Sequence, residues 1–268
     1  MTGVPRSGTT WLARELAVAR GAALPGREPM NPRGEQFALG GTLTGWTELR
    51  SLSARQERLL RRCYRGLEPR TFSRYGMHQW RALLPGARTI IKDPFALLSV
   101  PVIVACTGAL PIVVYRHPGA VLASYRRMGW TADVAEVRRL QGADPQPAPP
   151  DDAHAMVEFW TFLHRRVLAW LPAVPEALLV SHAEVSLGGP PALGRLMAAC
   201  GLRTGASPSV GAGPGRTPRE GQLHSFDRSA AEVSGGWRSR LTPAEVALVE
   251  EGTAGTWQEL QSRRWEPS

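Results

Sequence analysis

Apolar and polar positions along this chain alternate with two periods, and the switches between them mark short strands set among longer helices. Trp11, Leu12 and Leu16 recur at helical spacing, so residues 9–20 read as a helix. Residues 21–45 are rich in turn formers and predict no regular element. Residues 46–65 and 71–83 read as helical, with Pro69 and Pro85 as punctuation. Within the first of these, RQERLLRRCYR sets leucines on one face and arginines on the other, a helix with a solvated basic face or a patch for an acidic partner. Residues 87–94, ARTIIKDP, predict a short buried strand that ends in charge. Residues 95–108 predict a buried helix, too short for a bilayer and interrupted by Pro101 and Gly108. The β-branched run Pro111–Tyr115 predicts a second strand, and a helix follows through Ala120, Leu122 and Tyr125. Residues 129–150 read as a mobile loop. Residues 151–171 form a strong amphipathic pattern with Asp151 or Asp152 as cap. Leu178–Ser181 reads as a strand, and a helix runs from about residue 191 to 200. Residues 204–222 are Gly/Pro/Ser-rich and read as flexible. Thr242 with Glu245 forms a capping box, with Pro243 at the first helical position.

Short strands alternating with helices predict an α/β fold with a mainly parallel sheet. At 268 residues, with 43% apolar and 21% charged residues, the chain reads as one domain, 1–268. The net charge of +9 fits either a nucleic acid or a polyanionic small ligand. There is no long arginine stripe interleaved with exposed aromatics. Lys92 is the only lysine. Cys63, Cys106 and Cys200 are far apart and lack metal-ligand spacing, which points to reduced thiols and a cytoplasmic setting. None of the six histidines belongs to a zinc-type cluster.

Candidate chemistry concentrates in the opening stretch, MTGVPRSGTTWL. Gly3 and Gly8 bracket four residues, close to the phosphate-cradling pattern G-x-x-x-x-G-K-[ST], with Thr9 where the lysine would stand. The cation is instead Arg6, inside the loop. A helix beginning here aims its free N–H groups and positive dipole end at an anion. Read alone, the pattern is equally a turn before an ordinary helix. Only Met1 and Thr2 precede Gly3, where a buried strand is expected. The first strand is therefore expected to be truncated, with the natural start lying upstream; a native N-terminus at Met1 or Thr2 would count against this.

The run Pro5-Arg6-Ser7-Gly8-Thr9-Thr10-Trp11 resembles the 5′-phosphosulfate loop of sulfotransferases that use 3′-phosphoadenosine-5′-phosphosulfate (PAPS). Arg116-His117-Pro118 with Ser124 eight residues after the arginine resembles that family's 3′-phosphate motif. Lys92-Asp93-Pro94 resembles its Lys-x-Pro form, so the histidine base of the cytosolic subfamily is absent. Glu28 in Arg27-Glu28-Pro29 matches a glutamate that serves as base in several carbohydrate and bacterial members. The resemblance is good through residues 1–130 and weaker beyond.

What the resemblance implies is a P-loop-like three-layer fold, with a central sheet flanked by helices. It implies transfer of a sulfuryl group from PAPS to a hydroxyl or amine of a small-molecule or glycan acceptor, without a metal, leaving 3′,5′-bisphosphoadenosine. Arg6 and Lys92 would stabilise developing charge, and Glu28, with Asp93 as runner-up, would take the acceptor's proton. Pro5, Ser7, Gly8, Thr9, Thr10 and Trp11 would hold the 5′ end and the adenine; Arg116 and Ser124, joined by Arg228 and Arg238, would hold the 3′-phosphate. His117 is read as orienting its turn. No nucleic acid and no membrane span are expected. Two other classes stay open: a P-loop kinase, for which the lysine and an acidic metal-holding motif are not evident, and an arginine-rich nucleic-acid binder.

Overall fold

The computed structural model describes residues 1–31, 45–72, 77–142, 146–203 and 235–266. The fold is mixed α/β, dominated by helices, with two small parallel sheets. β1 (Ala22–Ala23) pairs with β2 (Arg88–Thr89), and β3 (Ile112–Tyr115) pairs with β4 (Leu178–Ser181) in the register Ile112 to Leu178. β3 is buried at every position and β-branched at three of four, as a strand covered on both faces requires. The opening residues lie between the pairs. Thr2 forms a parallel bridge with Val113, donating its N–H to Ile112 O at 2.8 Å and accepting from Val114 N at 2.8 Å. On the other side Met1 donates to Ile91 O at 2.7 Å and accepts from Asp93 N at 2.9 Å.

Helices enclose these strands. α1 (Thr9–Ala17) buries Leu12 and Leu16 against Ile112, Val114 and Val180. α2 (Ala54–Tyr64) starts at a Ser53–Gln56 capping box, eight residues later than its periodicity predicts, and buries only Leu60 and Cys63, so its arginine face is solvated. Residues 71–83 are not one helix. Pro69–Thr71 and Met77–Leu83 are separate 3-10 turns. A further 3-10 turn, Pro94–Ser99, leads into α3 (Val100–Thr107), which Gly108 ends in the left-handed region.

The main core lies around α4 (Pro118–Arg127), α6 (Asp152–Trp170) and α8 (Pro243–Ser262), with Trp160, Phe159 and Leu163 fully buried. Arg126 ties these three helices together, donating to Asp152 at 2.6 Å and to Glu245 at 2.7 Å. The expected loop over 129–150 is corrected. Val134–Gln141 is a helix, α5, capped by Asp133 and closed by left-handed Gly142, and it buries Val134 and Val137. α7 (His182–Ala199) starts earlier than expected because Ser181 caps it, and Gly189 before Pro190 kinks it. The flexible stretch read over 204–222 lies outside the described residues. Among the described residues no helix is long and apolar enough to cross a membrane.

Candidate active site

The opening loop turns where its sequence permits. Gly8 is left-handed, at φ 95°, and stands as the N-cap of α1 with no side-chain cap bond. An added Cβ there would lie 2.0 Å from Cδ2 of His182, so both the backbone angle and the close approach demand glycine. At Gly3 an added Cβ would lie 2.2 Å from the Val114 carbonyl oxygen. Ser7 is wholly buried, and among the described residues its hydroxyl has no partner. The first N–H groups of α1 and this orphaned hydroxyl therefore offer a donor set without a side-chain acceptor, which fits a bound anion. Pro5 and Thr10 are half-buried beside it, and Thr9 is buried.

Arg6 also has positive φ, 72°, an angle unusual for a residue with a Cβ. Its Nε donates to Ser124 Oγ at 3.0 Å. Its carbonyl accepts from Arg116 Nη1 at 3.2 Å. The two predicted phosphate clamps, more than a hundred residues apart in sequence, thus meet directly. Two residues not anticipated join them. Arg127 Nη2 lies 3.4 Å from Ser124 Oγ, and the Arg6 guanidinium sits over the Trp130 ring at 5.7 Å.

A second cluster forms at the end of β2's extension. Lys92 pairs with the Glu28 carboxylate, which also accepts from Asn31 Nδ2. The pair is mostly buried, with side-chain exposures of 12% and 16%. Burial pushes the Lys92 ammonium down to about 8, against the neighbouring Asp93 carboxylate, which raises it. Asp93 is buried and already committed. It accepts from Met30 N at 2.5 Å and Phe95 N at 3.1 Å, capping the Pro94–Ser99 turn and holding the segment that carries Glu28. Burial pushes its carboxyl up to about 6, opposed by those N–H groups and by Lys92.

Other predicted positions fall at the margin. Trp11 packs edge-on against His182 at 5.3 Å between ring centroids, on the apolar cluster under α1. Arg238 is exposed, lies over the Trp237 ring and pairs with Glu250 at 2.7 Å. Arg228 lies outside the described residues. His117 caps α4, accepting from Gly119 N at 3.2 Å, and stacks on Trp237. A cavity of about 430 Å³ opens elsewhere, over α6 beside Phe162 and Arg165, and none of the predicted site residues lines it.

His182 is a residue that no sequence motif singles out. It is buried between Gly8 and Trp11, and its Nδ1 has no partner among the described residues. The signal was present, because His182 follows the carboxyl end of a predicted strand, where ligands gather in parallel sheets. Burial, with Arg116 nearby, drives its imidazole down to about 3, and burial brings His117 and His164 down to about 4. In the unfolded chain all three titrate near 6.5. The folded protein then binds fewer protons between those values. Their contribution is complete above pH 6.5 and drains away as the pH falls to 4. Asp93, with its raised value, works in the opposite direction below pH 6. The urea midpoint at pH 5 is expected to lie well below that at pH 7, with His164→Asn removing roughly 1–2 kcal/mol of the difference. A pH dependence unchanged in that variant would refute the assignment.

Among the described residues, no group of three or more His, Cys, Asp or Glu could hold a metal ion. Comparison with known proteins returns no matching family model and no matching curated sequence.

Proposed function

We propose that the protein is a cytoplasmic sulfotransferase that moves a sulfuryl group from PAPS to a hydroxyl or amine of a small-molecule or carbohydrate acceptor, without a metal. The observation that carries this reading is the bond from Arg6 Nε to Ser124 Oγ, with Arg116 on the Arg6 carbonyl. Two polyanion-binding motifs read separately from the sequence sit together at the open end of one helix. The same reading takes the bonds of Met1 and Thr2 as a stub of central strand joining both strand pairs. On this reading the joined sheet would form the centre of the three-layer P-loop-like fold that the resemblance implies.

The residues divide the work. The N–H groups at the start of α1, the Ser7 hydroxyl and the Thr9 and Thr10 hydroxyls face the phosphosulfate end, where Gly8 keeps the approach clear. Arg116 and Ser124 hold the 3′-phosphate, with Arg127 as a further cation. PAPS supplies the sulfuryl group, whose bond to the 5′-phosphate oxygen breaks as a bond to the acceptor forms. Arg6 and Lys92 stabilise the charge left on that phosphate. Glu28 takes the proton from the acceptor's hydroxyl or amine, held for it by Lys92 and Asn31. Asp93 moves to a positioning role, since both its oxygens are engaged by backbone N–H groups.

A thermal-shift experiment tests the reading. At about a hundredfold excess over Kd, 3′,5′-bisphosphoadenosine is expected to raise the melting midpoint by roughly 5–10 °C. Arg6→Ala is expected to lose most of that shift. Stabilisation by Mg-ATP alone would replace the sulfotransferase with a kinase. Screening acceptors with PAPS and reading product mass then identifies the substrate.

A further inference from the structure

Six large hydrophobic side chains stand exposed among the described residues, and four of them, Leu67, Trp80, Leu83 and Leu84, come from one short stretch. They also lie together in space. Gly66 packs so closely on Ala82 that an added Cβ would lie 2.7 Å from the alanine's. That contact sets Leu67 beside the turn bearing the other three. Trp80 and Leu83 are one 3-10 turn apart and share its face, and Trp80 is backed by Phe72, stacked at 4.7 Å. Leu84 leads into the exposed Pro85–Gly86 turn. The result is an exposed apolar patch, called here the crest.

The stretch that carries it is rich in positive charge. Between residues 54 and 89 the sequence carries nine arginines against two glutamates, most of the chain's net +9. One of those glutamates, Glu68, is buried and paired by both Arg62 and Arg70. Arg62 also donates to the Leu67 carbonyl at 3.2 Å, which places its guanidinium at the crest's edge.

We propose that this face docks peripherally on an anionic lipid surface. Leucines exposed on and beside this turn enter the acyl boundary, tryptophan sits at headgroup depth, and arginines meet the anionic headgroups. A nucleic acid would satisfy the arginines but leave the leucines in water. An acidic protein is the competing occupant. The proposal does not depend on the sulfotransferase reading, because it uses none of that site's residues.

Co-sedimentation with vesicles tests it. The protein is expected to bind vesicles of phosphatidylcholine mixed with phosphatidylglycerol, to ignore phosphatidylcholine alone, and to detach as salt rises. Leu83→Ser with Leu84→Ser is expected to weaken binding about tenfold or more while leaving the melting midpoint unchanged. Leu67→Ser, across the crest, is expected to weaken it independently. Arg65→Gln with Arg81→Gln is expected to remove the preference for phosphatidylglycerol. Wild-type protein that ignores the mixed vesicles overturns the proposal and leaves the crest to an acidic protein. Leucine variants that bind as tightly as wild type overturn it too, as adsorption by charge alone.

Discussion

Lys92→Met is expected to lower sulfuryl transfer by roughly 10²–10³ and to destabilise the fold at the same time. The first effect follows from removing the cation that, in the proposed reaction, meets developing negative charge. The second follows from the pairing with Glu28. With both partners mostly buried, losing one leaves an uncompensated carboxylate, a change that costs about 3–5 kcal/mol. Deprived of its ammonium, Glu28 also loses the contact that holds it in place as the proposed base. A second substitution separates the two effects. Glu28→Gln added to Lys92→Met removes the stranded charge, so the melting midpoint is expected to recover while the rate is not. Near-normal transfer by Lys92→Met, or a double variant with the summed loss of stability, would falsify this account of the pair.

Much of this site could be read from the chain, and the reasons differ by residue. Lys92 and Arg116 follow apolar runs, and a strand-end cation declares itself through that boundary. The loop was legible because Gly3 and Gly8 carry backbone demands that few other residues meet. The contact between Arg6 and Ser124 was not legible, since spacing along the chain says nothing about how far two clamps lie apart in space. The surroundings of Asp93 were not legible for a related reason. Its residue type allows a base, but the backbone N–H groups of Met30 and Phe95 occupy it, and only the path of the chain reveals them. His182 hid behind a weak local pattern, because its burial depends on Gly8, far away in sequence. Helix α5 was missed although Asp133, Glu136 and Gly142 spell its cap and stop; the prolines after it drew the whole stretch into a loop. The 3-10 turns over 77–83 carry a helix-like apolar period, and periodicity alone does not distinguish three residues per turn from 3.6 over so few turns.

Gly8→Ala is expected to abolish nucleotide binding and to cost about 2–4 kcal/mol of stability. Two terms add. A residue with a Cβ held at φ 95° is strained by roughly 1–2 kcal/mol, and the new methyl group meets the His182 ring at 2.0 Å. Either the loop or the start of α7 must move. Because the helix N-terminus is the proposed anion site, a shift of under an ångström suffices to misdirect its N–H groups. His182→Ala added to Gly8→Ala removes the collision but not the backbone strain. It is therefore expected to recover part of the melting midpoint, with 3′,5′-bisphosphoadenosine binding still impaired. An alanine variant that melts and binds as wild type does would show that the loop is not held against His182.

The arginine bias of this chain leaves a single side-chain amine, and it stands inside the candidate site. Reductive methylation with isotope-labelled formaldehyde would mark only Lys92 and the terminal amine. The protein therefore carries a built-in spectroscopic probe. The chemical shift of the Lys92 dimethylammonium signal follows that amine's own protonation, which burial brings down to about 8, and its broadening on adding an acceptor reports occupancy without any assay of turnover.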